Sequence, residues 1–213
     1  MAIADLARLT SGTHTQTDSV SRSNAIQKAL RKVQGLSPIQ DSVLIGNVPS
    51  IWPVLSKYAN DDSGGGDQAI ITVPPPEFIW DQRNFPGGEI RYFAHAVKFT
   101  SPNDHLVISA VFADNAHRLF IEERGPGGAL IQSFTPVGGL ADGLMVPQAS
   151  QTDDTTSPFN WQKIRLWSSD DIIPESTNNY LVVSFEVMNY LTADTLNPAG
   201  LAYFIDIYHA LET

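Results

Sequence analysis

The sequence predicts an all-β protein: an antiparallel β-sandwich or jelly roll with an N-terminal arm and one short helix. Three observations predict it. Between residues 179 and 207, two apolar segments alternate with period two. Leu181, Val183, Phe185 and Val187 share one face of the first while Ser184 and Glu186 take the other, and Leu201, Tyr203, Ile205 and Ile207 share a face of the second. Short segments of this kind recur from residue 77 onward, punctuated by Gly and Pro. Only one stretch, 24–34, carries a helical stripe.

Composition bounds what such a sandwich can do. The 213 residues suit one domain plus an appendage, and a hydrophobic content of 42% supplies a core without staples. With no cysteine there is no thiolate metal site, thiol catalysis or disulfide, and the redox compartment stays open. No apolar run reaches the roughly 18 residues that would span a bilayer, so membrane insertion is not expected. The N-terminus lacks the basic and long apolar regions of a secretory signal, so a cytoplasmic protein, or one released or assembled at a surface by a non-classical route, is expected. Residues 1–36 hold five basic groups against two acidic ones, whereas the rest of the chain holds eight against 21. Nucleic acid is disfavoured by so acidic a body. A basic arm meeting the acidic body of another copy is one reading of the asymmetry, and an ordinary solvated surface is the other.

In order, residues 1–36 are read as a polar, basic arm with the helix 24–34 inside it. Asn24 with Gln27 fits a capping box; Ile26, Leu30 and Val33 form the apolar stripe; Gly35 stops the helix. At about three turns the helix must pack on something, either its own sandwich or a neighbouring subunit. Residues 37–76 are read as a linker with short strands and the acidic, Gly-rich loop Asp61-Asp-Ser-Gly-Gly-Gly-Asp67, ending in Pro74-Pro-Pro76. The sandwich is expected over 77–213. Strands are predicted at 77–80, near 92–99, at 106–113 (nearly all apolar, hence central), 118–123, 129–134, 161–167, 181–189 and 201–207, with a long loop at 135–159 carrying Gly138-Gly139, Gly143 and Asp153-Asp154.

Four segments in this order resemble the galactose-binding-like jelly-roll domains found attached to bacterial glycosidases and surface proteins, a carbohydrate-binding-module-like architecture. They are Glu77-Phe-Ile-Trp80 with Tyr92 to Phe99; Ala113-Asp114-Asn115 with Leu119-Phe120-Ile121; Trp161; and Leu181 to Asn189 with Asn197-Pro198-Ala199-Gly200-Leu201. The match spans about residues 77–208. It implies a sandwich fold and leaves the ligand open, because that architecture hosts many activities. Where such domains place an Asn-Gly turn, this chain has Glu122-Glu-Arg-Gly-Pro-Gly-Gly. Asp114 and Asn115 are read as turn residues or, as the resemblance allows, ligands of a structural calcium; no other cofactor is expected. Asn189, Asn197, Pro198 and Gly200 are read as fixing the backbone of the last loop.

Catalysis is not expected. Glu122 and Glu123 face opposite sides of a strand. The five histidines show no metal spacing, and neither a Gly-x-Ser-x-Gly elbow nor a phosphate loop occurs. The leading expectation is a non-catalytic structural protein that assembles with copies of itself into a fibre, surface layer or shell, through Leu6, Arg8, Arg22, Ile26, Leu30 and Val33 of the arm and through sandwich edges. The alternatives are a carbohydrate-binding module, with Trp52 and Tyr190 as ligand-binding aromatics, and a phage or virion fibre or decoration protein.

Overall fold

In the computed structural model, residues 3–47, 76–156, 159–193 and 197–210 are described. Their strands form two antiparallel sheets that face each other. The strands are β1 (Ile3–Thr10), β2 (Gln16–Asp18), β3 (Val43–Asn47), β4 (Glu77–Trp80), β5 (Glu89–Lys98), β6 (His105–Asp114), β7 (Ala116–Arg124), β8 (Leu130–Ser133), β9 (Leu140–Asp142), β10 (Arg165–Ile172), β11 (Tyr180–Asn189) and β12 (Gly200–Ala210); helix α1 is Arg22–Val33. One sheet runs β10-β6-β12-β4-β3, with β1 also on β12; the other runs β2-β5-β11-β7-β8, with β9 also on β7. The all-β sandwich is as expected. From β4 onward the chain alternates between the layers except at β7, β8 and β9, which share the second sheet, so β11 and β12, adjacent in sequence, lie in opposite sheets.

The period-two pattern explains the core. Leu181, Val183, Phe185 and Val187 of β11 pack in one core with Leu201, Tyr203, Ile205 and Ile207 of β12, flanked within their own sheets by Phe93, Leu119 and Ile121 and by Val107 and Val111. Tyr203 stacks on Phe185 with ring centroids 4.7 Å apart, and Trp80 meets Phe93 at 5.6 Å. β6 sits between β10 and β12, and its alternate residues Ala110 and Phe112 are as buried as Val107 and Val111. That is why its sequence is apolar almost throughout.

Residues 3–36 are built into this sandwich. β1 pairs with β12 from Ile3↔Ala210 to Thr10↔Phe204, and β2 pairs with β5. The two strands therefore close one edge of each sheet. Helix α1 lies on the outer face of the second sheet, where Ala25, Ile26, Ala29 and Leu30 bury against Ala94, Ala96 and Val182. Ile26 and Leu30 are each 1% exposed, worth roughly 1.5–3 kcal/mol apiece for full burial. The helix begins two residues earlier than expected. Its cap is Ser21, whose hydroxyl accepts from Asn24 N at 3.1 Å, and Gly35 follows its end at φ 70°.

Two further differences concern local structure. The segment at Trp161 is a turn of 3-10 helix (Asn160–Gln162) closed by Lys163 N donating to Asn160 O at 3.0 Å, and the strand starts only at Arg165. The loop at 135–159 contains β9, pairing with β7 through His117↔Asp142 to Leu119↔Leu140. The part of the expected linker that is described, β3, extends the first sheet beside β4. Trp52 and the acidic loop at 61–67 lie outside the described residues.

Candidate binding site

The chain changes sheet across a single residue. β6 ends at Asp114 and β7 begins at Ala116, so Asn115 is the whole corner. Its side chain secures that corner: Oδ1 accepts from Tyr190 N at 2.8 Å, tying the end of β7's layer to the exit of β11. The same exit is held by Asn197 Nδ2 donating to Tyr190 O at 3.0 Å and by Leu191 N donating to Ala149 O at 2.8 Å. Asn189 is fully buried and its amide reaches the carbonyls of Phe85 and Pro86 at 3.5 and 3.4 Å. Pro198 is exposed on the crossing into β12, while Gly200 lies where a Cβ would come within 2.5 Å of the Phe78 ring.

Tyr190 is 1% exposed among Ala116, Met145, Ala149 and Met188, and its hydroxyl accepts from Leu144 N at 2.7 Å. Its ring is therefore part of the wall behind the corner, not a platform for a ligand. Burying a Tyr at this point requires its hydroxyl to find a partner, and the 143–150 loop supplies one.

Beside the corner lies a pocket of about 270 Å³ lined by Asn115, Gln151, Asp154 and Phe159. Each polar member is anchored through one terminal atom. Asn115 is held by Tyr190 N; Gln151 Oε1 accepts from Thr192 Oγ1 at 3.0 Å; Asp154 Oδ2 accepts from Asn160 N at 2.8 Å. Asn115 Nδ2, Gln151 Nε2 and Asp154 Oδ1 have no partner among the described residues. Near Asp154 sits Asp114, 7% exposed. Burial, and then the charge of Asp154, push its carboxyl up to about 7. The pocket offers two amide donors, one carboxylate acceptor and an aromatic wall, with the Asp114 carboxyl near enough to respond to the charge of Asp154. Among the described residues no group of three or more His, Asp or Glu is placed to hold a metal ion.

The residues expected to form an assembly arm are engaged within the chain. Leu6 lies in β1, and Ile26 and Leu30 are the buried stripe of α1. Arg8 Nη2 donates to Asp206 Oδ2 at 2.8 Å with its guanidinium over the Phe204 ring. Arg22 Nη1 donates to Glu122 Oε2 and Ser184 Oγ, both at 3.0 Å, and stacks 3.9 Å above Phe120. Val33 remains 41% exposed. Sequence reasoning missed Gln151 and Phe159. The available signal was that Phe159 is the lone aromatic between Phe134 and Trp161, five residues after a pair of aspartates.

No protein-family model matches the chain, and no curated protein matches it. Some solved structures are similar at low identity. The cleaved adhesin domain of Lys-gingipain from Porphyromonas gingivalis is 10% identical, over 99% of this chain and 100% of that one, with a TM-score of 0.40. A CBM4 structure is 9% identical, over 63% of this chain and 69% of that one, with a TM-score of 0.33. The enzymatically active domain of tailspike protein 4 from bacteriophage CBA120 is 12% identical over 58% of this chain, with a TM-score of 0.35; the match spans only 14% of the tailspike chain. These likenesses concern β architecture and say nothing of the pocket.

Proposed function

We propose that the chain is a non-catalytic binding module that holds a glycan end in the pocket at the Asn115 corner. One observation carries the reading: Asn115, Gln151 and Asp154 line one pocket, are each fixed by one hydrogen bond, and each keep a second polar atom without a partner among the described residues. Pre-positioned donors and acceptors beside an aromatic wall match a ring bearing several hydroxyls, because the side chains lose little freedom on binding. The volume of about 270 Å³ lies just below the roughly 300–1,000 Å³ of a drug-sized ligand site, which suits a single sugar ring. A glycan array followed by calorimetry on the full chain tests it. Binding that is lost in Gln151→Ala and in Phe159→Ala, with unchanged melting temperatures, supports the site; no response to any glycan overturns it.

A second reading, association between copies, is favoured by β8. This edge strand leaves Leu130 52% and Ile131 45% exposed, next to Ile173 at 56%. Gln132 Nε2 donates to Ile173 O at 2.7 Å, which brings the Ile173 backbone beside β8. Exposed apolar edges are docking surfaces for another strand. Light scattering after chromatography should show an oligomer that Ile131→Lys returns to monomer; a monomer at every concentration removes this reading.

A further inference from the structure

The glycan pocket has a charge as well as a shape. Among the described residues, Asp154 is the one ionisable residue lining it, and no basic side chain lines it. The two cations that follow Asn160 in sequence already have polar or anionic partners: Lys163 Nζ donates to Asn160 Oδ1 at 3.0 Å, and Arg165 forms an ion pair with Asp142 at 2.7 Å. Near Asp154, Asp114 is 7% exposed, and its carboxyl has no hydrogen-bond partner among the described residues. One carboxylate thus lines the pocket with the aromatic Phe159, and a second carboxyl, Asp114, is near enough to feel its charge.

We propose that this pocket selects a protonated amine, so that its glycan is an amino sugar with an unacetylated nitrogen. The inference rests on the glycan reading of the same pocket and narrows it. An ammonium group donates three hydrogen bonds and carries the charge that the pocket's carboxylate lacks. Asp154 Oδ1 is the acceptor presented to it, Asp114 supplies a second negative charge once ionised, and the aromatic wall favours a cation over a neutral group. Asn115 Nδ2 and Gln151 Nε2 remain as donors for ring hydroxyls. An N-acetylated sugar loses the charge and adds bulk, and an acidic sugar meets the Asp154 carboxylate of its own sign. The elevated carboxyl of Asp114 agrees with this arrangement, since a bound ammonium would draw its proton off.

Calorimetry with the full chain at pH 6 separates the outcomes, using three trisaccharides: glucosamine, N-acetylglucosamine and glucose. The glucosamine trimer should bind at least tenfold more tightly than either neutral trimer. Asp154→Asn keeps an acceptor for Asn160 N and should bring the three to one affinity without lowering the melting temperature. Should that variant fold poorly, raising the salt from 20 to 300 mM should weaken the amine trimer selectively. Equal binding of all three overturns the amine inference and leaves the glycan module standing. Binding of none overturns both. A response to calcium chloride with preference for neutral sugar would give the carboxyl pair to a metal ion and overturn it as well.

Discussion

Arg8, on the first strand, and Asp206, on the last, face each other across 198 positions and join through Nη2 and Oδ2 at 2.8 Å. Asp206 is 5% exposed, so removing its partner strands a buried charge. Arg8→Ala should therefore lower the free energy of unfolding in urea by about 3 kcal/mol, as for broken buried pairs. Deleting residues 3–10 should unfold the sandwich, because β12 loses a paired neighbour; a folded, stable truncation would show that β1 is dispensable.

Glu123 is fully buried and gathers donors from three places: Gln132 Nε2 and Asn179 Nδ2 at 2.6 Å each, and the backbone of Glu175 at 3.0 Å. Burial alone would raise its carboxyl, but these bonds outweigh it and hold the group below its usual value. A depressed folded value means stability that is present above the unfolded value near 4.5 and lost as pH falls through the folded one. Glu123→Gln should cost about 2 kcal/mol at pH 7 and flatten the acid limb of the stability profile, with hydrogen exchange speeding at Glu175 and Ser176.

Asp114 has the opposite sign. Its folded value, about 7, lies above the unfolded 3.8, so between these limits the folded chain binds the extra proton and stability declines as pH rises. Asp114→Asn should be more stable than the parent at pH 8 and lose that advantage near pH 4, as read by thermal melts. His95 works against this trend: burial first, with the charges of His14 and Lys32, depresses it to about 3. The unfolded chain then takes the proton below pH 6.5, so this histidine removes stability on acidification.

Gly143 has φ 87°, and a Cβ there would stand 2.2 Å from Asn160 Nδ2 and 2.6 Å from Ala116 Cβ. Gly143→Ala should cost more than about 1 kcal/mol through the backbone alone. Because Asn160 N anchors Asp154, it should also weaken glycan binding; affinity equal to the parent's would separate the glycine from the pocket.

The strands and the core were legible because period-two burial is written residue by residue, as in β11 and β12. The tie of β1 and β2 into both sheets was not. Thr10, Ser11, Thr15, Gln16 and Thr17 are polar yet buried, held by bonds such as Thr15 Oγ1 with Tyr203 Oη at 2.7 Å. A polar segment satisfied by distant partners looks, in sequence, like one facing water. Tyr190 failed for a similar reason: its partner is a backbone amide 46 positions away, so its neighbours in sequence did not reveal its burial. Of the pocket, Asp114, Asn115 and the Asp153-Asp154 pair stood out, but their convergence depends on a corner one residue long.

Strand β7 starts at that corner and pairs with β8 only at its other end, from Glu122 to Arg124. At roughly 3.3 Å per residue, the Asn115 pocket and the β8 edge lie some 20–25 Å apart. Copies joined through β8 would leave every pocket open. A weak grip on one sugar would then be multiplied across a polymeric surface, so the avidity of such an array would exceed the affinity of any single member.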